Sequence, residues 1–174
     1  MDESAWRHCM SFVVVGTDHR FQDHDPGFEG ILKALLAQKY FEPMVAVAEE
    51  YPEEYKVSSI GQRLAEIHQL RWFSLDMTVL EKAAAGILKE QMNRPNMFEE
   101  GAACRVPSDE IREAAWVEKL EPGGPGSSLV ICGYLHFEAL VQKLRAKGHV
   151  VDKRVYLETV PKIELCIGSE MLKP

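Results

Sequence analysis

Long apolar runs are missing from this 174-residue sequence. Nothing in it approaches the roughly 18 consecutive apolar residues of a membrane-spanning helix, so no membrane partner is expected. The opening Met1–Met10 is polar and the apolar run after it covers only Phe12–Val15, which is not the pattern of a signal peptide. Cysteine is sparse: Cys9, Cys104, Cys132 and Cys166 stand apart with no CxxC pair, which argues against a structural zinc site built on paired thiolates. Cys132 sits in an apolar run and reads as a small core residue. A reducing, cytoplasmic setting is the simplest expectation. Basic charge is also in short supply, with 20 Lys and Arg against 27 Asp and Glu, a net charge of −7. With no basic stripe to offset phosphate repulsion, nucleic acid is not an expected partner. A small molecule or a peptide is.

What is present suits one compact domain over residues 1–174, because 46% hydrophobic and 27% charged residues at this length can fill a proper core. Short β-branched runs alternate with amphipathic segments, the mark of an α/β fold with a mostly parallel sheet and flanking helices. Strands are predicted at Ser11–Val15, Met44–Ala48, Leu70–Leu75 and Ser128–Cys132. Two weaker strands, Val150–Leu157 and Ile163–Ile167, are separated by Pro161 and are expected as antiparallel edge strands. Helices are predicted over Phe28–Lys39, from Ser58 or Ser59 to about His68, over Val79–Asn93, from Ser108 to about Leu120, and over Phe137–Lys147.

In such sheets the ligand crevice lies beyond the carboxyl ends of the strands. The residues there are Gly16-Thr-Asp-His19, Glu49-Glu50, Asp76 and Gly133-Tyr-Leu-His136. All four strand ends carry an ionisable group, and two share a GxxH arrangement. A glycine at a strand end admits a close approach, and a histidine three residues on can swing back over the same edge. Two imidazoles and a carboxylate could bind a divalent metal or divide general-base and orienting roles without one. Arg112, in Ile111-Arg-Glu-Ala-Ala-Trp116, could pair with a site carboxylate or with an anion on the substrate.

The two GxxH motifs with Glu49 between them resemble those of the TraB/Tiki proteins, whose wider superfamily includes the ChaN-like and erythromycin-esterase-like proteins. The Ile111–Trp116 stretch, a turn and then Leu129–His136 also look like that superfamily's arginine-bearing helix running into its last motif strand. The resemblance implies an α/β fold and a hydrolase-like site in which histidines and a glutamate bind metal or activate water.

The functional expectation is therefore a small hydrolase-like enzyme. His19 serves as general base or metal ligand, Glu49 in preference to Glu50 binds metal or orients water, His136 completes the site, and Arg112 stabilises negative charge on the substrate. If a metal is held, His19, Glu49, Glu50 and His136 are its candidate ligands, and Mn, Co or Zn are the candidate ions. The rival is a non-catalytic ligand-binding or protein-interaction domain on the same fold.

Overall fold

A computed structural model describes residues 10–40, 42–52, 57–88, 105–121 and 126–157. Five strands, β1 (Ser11–Thr17), β2 (Met44–Glu49), β3 (Arg71–Ser74), β4 (Ser127–Gly133) and β5 (Val150–Tyr156), form one sheet in the order β3-β2-β4-β1-β5. Every pairing is parallel. The helices that lie wholly within the described residues are α1 (Phe21–His24), α2 (Pro26–Leu36), α3 (Ile60–Ile67), α4 (Val79–Ala84), α5 (Pro107–Leu120) and α6 (Tyr134–Ala146).

Strand order and handedness together assign the helices to layers. Crossovers between parallel strands are right-handed, so connections that move along the sheet in opposite directions must cross opposite faces. The steps β1 to β2 and β2 to β3 move one way, and α2 and α3 cover the first face, where Phe28, Leu32, Ile60 and Leu64 pack on Val13, Val15, Val47, Leu129 and Ile131. The steps β3 to β4 and β4 to β5 move the other way. There α5 and α6 cover the second face, with Trp116, Val117, Phe137, Leu140 and Leu144 packed on Phe12, Val14, Ala48, Val130 and Cys132. Alternate residues of each strand thus feed two separate cores. The central β4 is buried along its whole length, as expected for a strand covered on both faces.

Several boundaries differ from expectation for local reasons. Asp25 accepts a hydrogen bond from the Phe28 amide at 2.7 Å and Pro26 sits in the first turn, so α2 starts two residues early. The polar stretch before it contains a short helix, α1. Helix α6 starts at Tyr134, directly after Gly133, which puts His136 in the first helical turn. Helix α4 is described to Ala84 and followed by Gly86 at φ 72°; the remainder of the predicted Val79–Asn93 helix falls mostly outside the described residues. The antiparallel prediction for the C-terminal edge is corrected: β5 is an edge strand, but α6 returns the chain parallel to β1. The predicted strand Ile163–Ile167 lies outside the described residues. No helix among the described residues is long and apolar enough to cross a membrane.

Candidate active site

At the carboxyl ends of β1, β2 and β4 the chain diverges to opposite faces of the sheet, and the polar side chains collect there. Glu50 is the hub. Its amide continues the ladder by donating to the Ile131 carbonyl at 2.8 Å, and its side chain falls on the α5–α6 face. Oε1 accepts from Arg112 Nη2 at 2.6 Å and Oε2 from the Gly133 amide at 2.7 Å. Oε1 also lies 3.7 Å from His19 Nε2 and 3.7 Å from His136 Nε2. Burial acts to raise the Glu50 pKa, but His136, His19, Arg112 and the Gly133 amide outweigh it and hold the carboxyl at about 2.

Arg112 projects from α5 into this cluster and is nearly buried. Its Nη2 also donates to Asp76 Oδ1 at 3.0 Å, its Nη1 lies 3.1 Å from His136 Nε2, and its guanidinium stacks over the Trp116 ring at 5.1 Å. Burial opposes its charge, yet Glu50 and Asp76 raise its pKa above the usual value. His136 is 3% exposed. Its Nδ1 lies 3.0 Å from Glu113 Oε1, and a carboxylate there demands an N–H, so Nε2 is left to accept from Arg112. Arg105 donates to Glu113 at 2.8 Å and to the Leu135 carbonyl at 3.1 Å, fixing both ends of that arrangement. Lys82 pairs with Asp76, and Lys119 donates to the Asp76 carbonyl at 2.5 Å.

His19 is the exposed member, its side chain 54% accessible. It is anchored by contact between Nδ1 and Gln22 Oε1 at 2.9 Å, three residues on in α1. The two motif glycines are explained by what a side chain in their place would meet. A Cβ on Gly133 would stand 2.7 Å from His19 Nε2, and one on Gly16 would stand 2.7–2.9 Å from the Phe137 side chain. Each glycine therefore makes room for a residue at or next to the histidine of the other motif.

The structure brings His19, Glu50, His136, Arg112 and Asp76 together. Glu49 is not among them. One residue earlier on β2, it faces the opposite side of the sheet, where Ser59 and Trp72 Nε1 donate to its Oε2, the latter at 3.1 Å. Burial pushes its pKa up to about 7, with the two donors only partly opposing it. The preference for Glu49 over Glu50 is thus reversed by strand parity. Of the two roles expected of Arg112, the contacts are those of pairing with site carboxylates: it binds Glu50 and Asp76 and lies against His136. Asp18 pairs with Arg20 at 2.7 Å. Cys132 is a buried free thiol whose pKa burial raises further, as suits an inert core residue.

Glu113, Asp109 and Arg105 were missed as site residues, although a signal existed for the first two. Asp109, Arg112, Glu113, Trp116, Val117 and Leu120 recur at helical spacing and form the buried stripe of α5. Charged residues on the stripe that carries the apolar anchors are the mark of a buried network.

Two of the candidate donor atoms for a divalent ion are engaged by Arg112, which donates to Glu50 Oε1 and lies against His136 Nε2. Among the described residues no group of three or more His, Cys, Asp or Glu side chains is placed to hold a metal ion. Comparison with models of known families, with curated proteins and with solved structures gives no match.

Proposed function

We propose that the chain is a small hydrolase-like enzyme in which His19 is the general base and acts on a small-molecule or peptide substrate. One observation carries this reading: His19 is the sole imidazole of the cluster open to solvent, tethered at Nδ1 by Gln22 and held with Nε2 3.7 Å from a carboxylate that stays ionised. In the proposed step Nε2 takes a proton from water, the hydroxide attacks an acyl carbon, and the imidazolium returns the proton to the leaving group. Glu50 stabilises the transient imidazolium. Arg112, His136, Glu113 and Asp76 lock Glu50 in place so that its charge needs no rearrangement during the reaction. No step requires a metal.

Hydrolysis of p-nitrophenyl acetate and of a short peptide library tests the reading. His19→Ala is expected to lower kcat/KM by roughly 100-fold or more, the usual weight of a general base, whereas His24→Ala, at an exposed histidine of α1, leaves it unchanged. Equal rates for wild type and His19→Ala would favour the non-catalytic binding domain.

A further inference from the structure

His19 is held at two points, with Nδ1 2.9 Å from Gln22 Oε1 and Nε2 3.7 Å from Glu50 Oε1. The two anchors come from different parts of the fold. Glu50 follows β2 and is fixed by the sheet, since its amide donates to the Ile131 carbonyl of β4. Gln22 belongs to α1, which is four residues long and has no side-chain cap at its N-terminus. A single turn carries the cost of helix nucleation without the gain of propagation, so the place of α1 depends on contacts with the rest of the chain.

Asp23, next to Gln22, supplies two such contacts. Its carbonyl accepts from Arg63 Nη2 at 3.0 Å, which ties α1 to α3. Its Oδ1 accepts from the Tyr51 hydroxyl at 2.6 Å. Tyr51 directly follows Glu50 and is 5% exposed, and its amide turns back to the Glu49 carbonyl at 2.9 Å. Its ring therefore springs from the same fixed stretch as the Glu50 carboxylate. The contacts close a circuit: from His19 to Gln22, along the chain to Asp23, across to Tyr51, along the chain to Glu50 and back to His19. Within that circuit the Tyr51–Asp23 bond sets the separation of the two anchors. The hydroxyl also lies 3.1 Å from the Val57 carbonyl, a contact outside the circuit.

We propose that Tyr51 is a positioning residue for His19: its hydroxyl, bonded to Asp23, places α1 relative to Glu50 and so holds the imidazole between Gln22 and Glu50. Its part in the reaction rests on His19 being the base, whereas the position of the ring can be read without turnover.

NOE spectra of the full chain measure that position. A Cβ on Gly133 would stand 3.3 Å from His19 Cε1, so the wild type should show a cross-peak between His19 Hε1 and the Gly133 Hα protons. Tyr51→Phe, which deletes only the hydroxyl, should weaken that cross-peak several-fold. Asp23→Ala should weaken it equally and the double variant no further, while Asp23→Asn, which keeps an acceptor oxygen, should retain it. In hydrolysis of p-nitrophenyl acetate, Tyr51→Phe should lower kcat roughly tenfold with KM little changed, because a displaced base costs rate and not substrate affinity. A merely structural role would lower the urea midpoint of Tyr51→Phe and leave the cross-peak of the folded chain at its wild-type intensity, and that result overturns the proposal. So does an absent cross-peak in the wild type, or one lost in Tyr51→Phe but kept in Asp23→Ala, which would assign the effect to the Val57 contact. Should Tyr51→Phe not fold, Asp23→Ala, at a half-buried position of α1, tests the same bond from its other end. A cross-peak lost as expected beside a His19→Ala variant with full activity would sink the hydrolase reading and leave this one standing.

Discussion

Glu49 and Glu50 are consecutive residues whose carboxylates stand on opposite faces of one sheet, the first held by Ser59 and Trp72 and the second by Arg112 and the Gly133 amide. Burial governs the first and leaves its pKa near 7; surrounding positive charge governs the second and brings it to about 2.

These opposite shifts predict opposite contributions to pH-dependent stability. Glu50, depressed from 4.5 to about 2, contributes stability that is fully present above 4.5 and lost as pH falls through 2. Glu49, raised from 4.5 to about 7, holds a proton in the folded chain that the unfolded chain gives up. Its stability contribution is present below 4.5 and lost as pH rises through 7. Each shift corresponds to about 3 kcal/mol. Denaturant melts from pH 2 to 9 should show Glu50→Gln flattening the acid limb and Glu49→Gln flattening the decline between pH 4.5 and 7. An unchanged acid limb in Glu50→Gln would contradict the ion pairing seen here.

Removing Arg112 should cost far more than removing a surface arginine. Arg112→Met leaves Glu50 and Asp76 buried without their shared cation, a loss of about 3–5 kcal/mol at neutral pH. The penalty should shrink on acidification as the stranded Glu50 carboxyl takes up a proton. Arg154→Met, which breaks an exposed pair with Asp152, should cost about 1 kcal/mol or less. Equal midpoints for the two variants in urea would show that the Arg112 cluster adds nothing to stability.

His136 combines a site position with a structural load. It lies edge-on to Trp116 with ring centroids 4.9 Å apart, and links Arg112 to Glu113. His136→Ala should therefore destabilise by about 2–4 kcal/mol, within the range expected for truncating the core residue Ile131. A purely functional, solvent-facing histidine would cost a few tenths, and urea melts distinguish the two cases.

Much of this arrangement was legible in the sequence because hydrophobic alternation reports where strands are and strand ends report where the crevice is. The parallel sheet, the four strand ends and the meeting of His19 with His136 follow from that rule. Which of two adjacent glutamates faces the crevice does not. It depends on which face each crossover covers, and so on the strand order β3-β2-β4-β1-β5, which no local pattern encodes. The parallel direction of β5 was obscured for a related reason. Its exposed, mixed pattern is that of any edge strand, and it carries no sign of the parallel direction that the α6 crossover imposes. In α5 the pattern was readable but its meaning was not, since Arg112 alone drew notice while Asp109 and Glu113 share its buried stripe.

The two motif glycines offer the sharpest separation of fold from site. At Gly16 an added Cβ meets the Cβ, Cγ and Cδ2 atoms of Phe137, a fully buried residue with no room to retreat. Gly16→Ala should cost about 1–3 kcal/mol, the usual range for overpacking. At Gly133 the backbone sits at φ −57° and ψ 138°, which alanine adopts without strain. The first atom its Cβ meets is Nε2 of the half-exposed His19, and the imidazole can swing into solvent. Gly133→Ala should thus stay within about 1 kcal/mol of wild type while driving His19 away from Glu50. Its hydrolytic rate should fall to that of His19→Ala. Paired urea melts and rate measurements decide the matter. A Gly133→Ala chain as unstable as Gly16→Ala, or one as active as wild type, would show that the contact between His19 and the end of β4 is not what the second glycine protects.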